Sequence, residues 1–146
     1  MNLLIGQELI EKKEFGRALN VFLNLKENDS SDDRILFYLG LIYFELNNIS
    51  QSINFYEQYL KKNHNSISAL YNLAASKQSI GQMKSAKEIY LDLIHLDKNK
   101  IRPYFGLYNL DPNYLTNQDF KNIIKIRENN NYNLYEKGII DFLLSK

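Results

Sequence analysis

The sequence predicts an all-α protein: an α-solenoid of antiparallel helix pairs closed by C-terminal capping helices. Three observations lead there. Residues of matching size recur every 34 positions through roughly the first hundred residues. Within each unit, two apolar stripes at helical spacing flank a short polar turn. The last third departs from the repeat, as the end of a solenoid must in order to cover its open face.

The repeat is carried by five columns. Gly6, Gly40 and Ala74 are separated by that step, as are Ala18, Ser52 and Ala86, and Phe22, Tyr56 and Tyr90. Ile5, Leu39 and Leu73 keep it, and so do Phe15, Ile49 and Met83. Shortening the step by one destroys the match, placing Leu39 opposite Gly6 and Gln51 opposite Ala18. The units expected are 1–33, 34–67 and 68–101, followed by a degenerate repeat and capping helices over 102–146.

The second unit shows the pattern best. Leu36, Leu39, Gly40 and Tyr43 share one helical face. "ELNNIS" breaks it, since Asn47 and Asn48 tolerate turn geometry. Ile49, Ser52, Ile53, Tyr56, Tyr59 and Leu60 form a second stripe, and Asn63 to Ser66 end it. Ser30, three positions before Asp33, resembles a capping box at the unit's start. In the third unit Gly81 falls in the turn, where positive φ is useful. The small columns are expected to let paired helices cross closely, with the aromatic column filling the wider gap beyond.

"IRPYFGLYNLDPNYLTNQDF" begins as a fourth unit, with Tyr104 and Leu107 near register, and stops at Asp111-Pro112. Thr116, three positions before Asp119, is placed to cap a helix carrying Phe120, Ile123, Ile124 and Arg127. "ENNNYN" then turns into a last helix with Tyr135, Ile139, Phe142 and Leu143.

The repeat resembles the tetratricopeptide repeat, a 34-residue helix–turn–helix. The motif positions are Leu39-Gly40, Tyr43, Ser52 and Tyr56 in "LGLIYFELNNISQSINFY". They are Ile5-Gly6, Leu9, Ala18 and Phe22 in the first unit, and Leu73-Ala74, Lys77, Ala86 and Tyr90 in the third. The resemblance implies a right-handed superhelix. The family's tryptophan column is Asn2, Leu36 and Leu70 here, its later alanine column Leu25, Tyr59 and Leu93, and its inter-repeat proline Ser30, His64 and Lys98. The larger residues are expected to widen the spacing between repeats. A second, less specific resemblance is to the repeat region of bacterial sulfotransferases, carried by "YNLDPNYLTNQDFKNIIKI" and "LYEKGIIDFLLSK".

Composition excludes several roles. Eighteen Lys and Arg balance seventeen Asp and Glu, with no basic stripe, so no nucleic-acid partner is expected. The absence of Cys removes disulfides, thiolate metal sites and cysteine nucleophiles. No secretory signal or membrane span is read, so a soluble, cytoplasmic protein without a membrane partner is expected. His64 and His95 stand alone, and neither a phosphate loop nor a nucleophile elbow is present. No enzyme activity, metal or cofactor is expected of this chain.

The resemblance implies that the first helix of each repeat lines a concave groove. The groove residues are then Arg34, Phe37, Tyr38, Leu41 and Phe44 from the second unit, Tyr71, Asn72 and Gln78 from the third, and Arg102 and Phe105 beyond. Gln7, Glu11, Glu45, Ser68 and Ala75 share those helix faces. Gly40 and Tyr43 mark the packing face of their helix, whereas Phe37, Leu41 and Phe44 have no expected partner inside their own hairpin. Asn72 suits a peptide backbone, offering both donor and acceptor. One family subtype clamps chaperone C-terminal carboxylates with Lys, Asn and Arg. The matching positions are Leu3, Gln7, Tyr38, Ser68 and Asn72, which hold no cation, so chaperone-tail binding is expected to be absent.

The leading expectation is a non-catalytic scaffold that binds a protein or peptide on its concave face. The alternative is a substrate-positioning region of a larger transferase, such as a sulfotransferase. A third reading is an adaptor that self-associates weakly through its ends.

Overall fold

The computed structural model describes residues 2–28 and 31–146. The cap expected at Ser30 lies outside the described residues. Among them the chain is helical throughout, with no strand. The helices are α1 (Leu3–Glu11), α2 (Phe15–Asn28), α3 (Arg34–Glu45), α4 (Ile49–Leu60), α5 (Ile67–Ser79), α6 (Met83–Leu96), α7 (Ile101–Leu110), α8 (Asn117–Asn129) and α9 (Leu134–Leu144). A short 3-10 turn spans Pro112–Tyr114. Two compact units divide the chain, Met1–Ile80 with α1 to α5 and Gly81–Lys146 with α6 to α9.

Helix ends follow local chemistry. The Asn2 side chain accepts from the Leu4 amide at 2.8 Å, and the side chains of Asn48 and Ser66 likewise cap α4 and α5. The start of α3 is held by Asp32, whose Oδ1 accepts from the Arg34 amide at 3.0 Å. In each repeat a left-handed residue follows the first helix: Lys13 (φ 58°), Asn47 (φ 59°) and Gly81 (φ 81°). These three are separated by the repeat step, so the turn is as periodic as the core. Asn and Gly adopt that region readily, whereas Lys does so at a cost.

In the first unit α1 packs on α2, α2 on α3, α3 on α4 and α4 on α5. The core joins Leu9, Ala18, Val21, Phe22, Ile35, Leu39, Ile42 and Phe55. Full burial contributes about 1.5–3 kcal/mol for each large member. The small and aromatic columns meet one another directly. A Cβ on Gly6 would come within 2.5 Å of Phe22 Cε2, and one on Gly40 within 2.8 Å of Tyr56 Cε1. This corrects the expectation that the rings fill a gap farther along: each ring lies against a glycine backbone. Tyr43 stacks on Phe55 with centroids 5.5 Å apart and planes 4° apart. Phe55, which no column assigns, is thereby a core residue.

In the second unit α7 packs on α6, α8 and α9. Gly106 makes a glycine–ring contact of the opposite order, from the helix that follows the ring, since a Cβ there would lie 2.5 Å from Tyr90 Cε1. The Tyr104 hydroxyl donates to the Lys98 carbonyl at 2.9 Å and accepts from Asn122 Nδ2 at 3.3 Å. Burial is the main cause that pushes its phenol pKa upward. Both later helices start with full capping boxes, Thr116 with Asp119 for α8 and Asn133 with Glu136 for α9. The Thr116 cap is therefore where the sequence places it.

Candidate binding groove on the inner helices

In the first unit α3 and α5 are equivalent helices of consecutive repeats, and they enclose a cavity of about 210 Å³. Leu41, Phe44 and Glu45 line it from α3, and Tyr71, Asn72 and Ala75 from α5, with Tyr56 of α4 at its floor. The repeat produces this pairing. Leu41 and Ala75 are one repeat step apart, so the same helix face is presented twice, bulky and then small. The small second residue leaves the space.

The floor is fixed by hydrogen bonds. Tyr56 is buried with its ring on Gly40, which directs its hydroxyl toward α5. There it accepts from Asn72 Nδ2 at 3.1 Å. The Asn72 backbone carbonyl accepts from Ser76 Oγ at 2.8 Å, and the Ser52 and Ser76 hydroxyls meet at 3.2 Å. Ser52 and Ser76 are both fully buried, and this chain of hydrogen bonds satisfies them. Burial pushes the Tyr56 phenol pKa far up. The Asn72 hydrogen bond opposes that shift, and the nearby Glu45 charge adds to it.

The expected groove residues divide. Leu41, Phe44, Tyr71 and Asn72 come together around the cavity. Gln78, one repeat step from Phe44, is half-buried on α5. Tyr38 is engaged within the unit: its ring stacks on Phe22 at 5.0 Å, and its hydroxyl accepts from Gln7 Nε2. Phe37 meets Tyr56 at 5.8 Å and Tyr59 at 5.5 Å, both on α4. The expectation that Phe37 has no partner inside its own hairpin is thus corrected; the long tyrosine side chains reach it. Arg34 forks onto Asp32, with Nη2 2.7 Å from Oδ2, at the start of its own helix. That side-chain pairing is the main cause that holds the Asp32 carboxyl below its ordinary range.

Arg102 and Phe105 lie in the second unit, on α7. Arg102 Nε is 3.8 Å from Glu136 Oε1, with its guanidinium 5.6 Å from the Tyr135 ring centre. Phe105 meets the Phe142 ring edge-on at 6.1 Å. With Asn109, Tyr135, Gly138 and Ile139 these rings border a cavity of about 320 Å³ between α7 and α9. Sequence reasoning missed Tyr56 as part of the groove. Its column marks it as core, and nothing in the repeat signals that its hydroxyl meets Asn72 beneath the cavity.

The groove offers apolar walls, one fixed amide and one carboxylate. Among the described residues no cluster of three or more His, Cys, Asp or Glu is placed to hold a metal ion. No helix among them is long and apolar enough to cross a membrane.

Comparison with known proteins agrees with this architecture. Residues 34–66 and 68–99 match the family model for the tetratricopeptide repeat. A curated protein, ycf37 of Pyropia yezoensis, is 36% identical over 77 residues, covering 53% of this chain and 43% of its own length. The chain thus spans less than half of that relative. MamA from Desulfovibrio magneticus RS-1 superposes with a TM-score of 0.77 over 88% of this chain and 75% of its own, at 14% identity. The first tetratricopeptide repeat domain of Spaghetti (RPAP3), bound to the HSP90 peptide SRMEEVD, gives a TM-score of 0.69 over 76% of this chain and 88% of its own, also at 14% identity. At that identity the two solved structures show the fold alone, and the sulfotransferase resemblance is not shown. Residues 34–66 and 68–99 thus match the tetratricopeptide repeat in sequence, and the chain shares an all-α fold of helix pairs with MamA and RPAP3.

Proposed function

We propose that this protein is a non-catalytic scaffold that holds a peptide or an extended protein segment against the inner face of α3 and α5. The observation that carries this reading is the cavity among Leu41, Phe44, Tyr71, Asn72 and Ala75. It combines apolar walls with an amide held in place by Tyr56, so that a side chain can be seated while Asn72 reads the adjoining backbone. A repeat protein with a bound peptide among its structural relatives supports the reading. The alternative, a substrate-positioning region of a larger transferase, rests on sequence resemblance alone.

Selection from a random peptide display library tests the proposal. Selected peptides should bind the wild-type protein and lose binding to Phe44→Ala and Tyr71→Ala variants that keep full helix content. Peptides that bind those variants undiminished would contradict it.

A further inference from the structure

Among the described residues that line the cavity between α3 and α5, Glu45 is the charged one. Glu45 is exposed, lines the cavity and closes α3. No ion pair among the described residues reaches it. The last turn of α3 holds no basic residue, and the next cation along the chain is Lys61. A helix C-terminus already bears partial negative charge, so a carboxylate there adds to an unfavourable potential. The cations on the inner helices α3 and α5 are both occupied. Arg34 is held by Asp32 at the far end of α3, and Lys77 by Glu57 of α4 at 2.9 Å. Glu11 occupies the same repeat position on α1, one unit earlier. The apolar wall of Leu41, Phe44 and Ala75 therefore adjoins a carboxylate that no ion pair among the described residues engages.

We propose that the groove takes a peptide segment in which an apolar side chain, seated beside Leu41, Phe44 and Ala75, neighbours a Lys or Arg that pairs with Glu45. This rests on the groove reading above and deepens it by stating the partner's chemistry. An acidic segment is disfavoured there, because it would meet Glu45 and the α3 C-terminus while the cations of α3 and α5 are already paired. Opposite charge at a rim acts mainly through encounter rate and register, so the preference weakens with salt.

The test uses a short, end-capped, fluorescein-labelled peptide alternating leucine and arginine, with a leucine–glutamate counterpart. Anisotropy is read at low and high salt on the full chain. Wild-type protein should prefer the arginine peptide. Glu45→Lys should weaken that binding by roughly three- to tenfold, the scale of one exposed ion pair lost and one repulsion gained, and should improve binding of the glutamate peptide. Equal affinity for both peptides, unaffected by Glu45→Lys but lost in Phe44→Ala, overturns the charge inference and leaves the groove standing. Binding of neither peptide, or binding indifferent to Phe44→Ala, overturns the groove and the inference together.

Discussion

The ring of Tyr56 lies on the backbone of Gly40 so closely that a Cβ at residue 40 would stand 2.8 Å from Tyr56 Cε1. One contact joins three levels of the molecule. It fixes the α3–α4 crossing, it buries the aromatic column, and it aims the Tyr56 hydroxyl at Asn72 beneath the groove.

Gly40→Ala should therefore destabilise the fold. The ring is enclosed and cannot retreat, so overpacking of roughly 1–3 kcal/mol outweighs the gain in helix propensity. Gly16, in the first turn of α2, has nothing within 4 Å of an added Cβ. Gly16→Ala should stabilise by about 0.4–1 kcal/mol. Urea denaturation of the two variants separates these opposite signs.

The left-handed turn column gives a second pair. Lys13→Gly should stabilise by a few tenths to about 1 kcal/mol, since glycine relieves the αL cost at φ 58°. Gly81→Ala should destabilise by about 1 kcal/mol for the converse reason, at φ 81°. Thermal melts of both variants check the pair. A loss of stability in Lys13→Gly would mean that the Lys13 side chain makes a contribution larger than the strain.

Tyr56 predicts an alkaline limit. Burial raises its folded pKa above the unfolded value of about 10. The native state thus holds the phenolic proton after the unfolded chain has released it. The stabilisation is complete below about pH 10 and is lost as pH climbs toward the folded pKa. Tyr104 shifts in the same direction and adds to the slope. Tyr56→Phe should flatten the fall in stability above pH 10. At neutral pH it should cost about 0.5–1.5 kcal/mol for the lost Asn72 hydrogen bond. Denaturant titrations across that pH range read both effects.

Phe37 and Phe44 should behave differently although they lie on one helix. Phe37 meets two α4 tyrosines, so Phe37→Ala should cost about 2–4 kcal/mol. Phe44 opens on the cavity, and Phe44→Ala should cost about 1 kcal/mol or less while abolishing peptide capture. Circular dichroism melts beside binding assays distinguish the two.

Most of this architecture is legible in the sequence because the repeat carries it. A step of 34 sets the helix pairs, and the positions of Gly40 and Tyr56 follow from it. The groove is less legible, because facing depends on side-chain reach. Helical spacing groups Phe37 with Leu41 and Phe44, yet Tyr59 extends far enough to cover it. The resemblance places Arg34 among the groove residues, but Asp32, two positions away, engages it. The Ser52–Ser76 link joins repeats through Ser52, which periodicity marks only as a small spacer, and Ser76, which stands in no repeat column.

Residue-resolved NMR of the isotope-labelled protein, titrated with a display-selected peptide, tests the central claim most directly. The largest shift changes should fall on Leu41, Phe44, Glu45, Asn72 and Ala75, with those of Ala18, Leu39 and Phe55 unmoved. Changes confined to α2, or absent from α3 and α5, would contradict it.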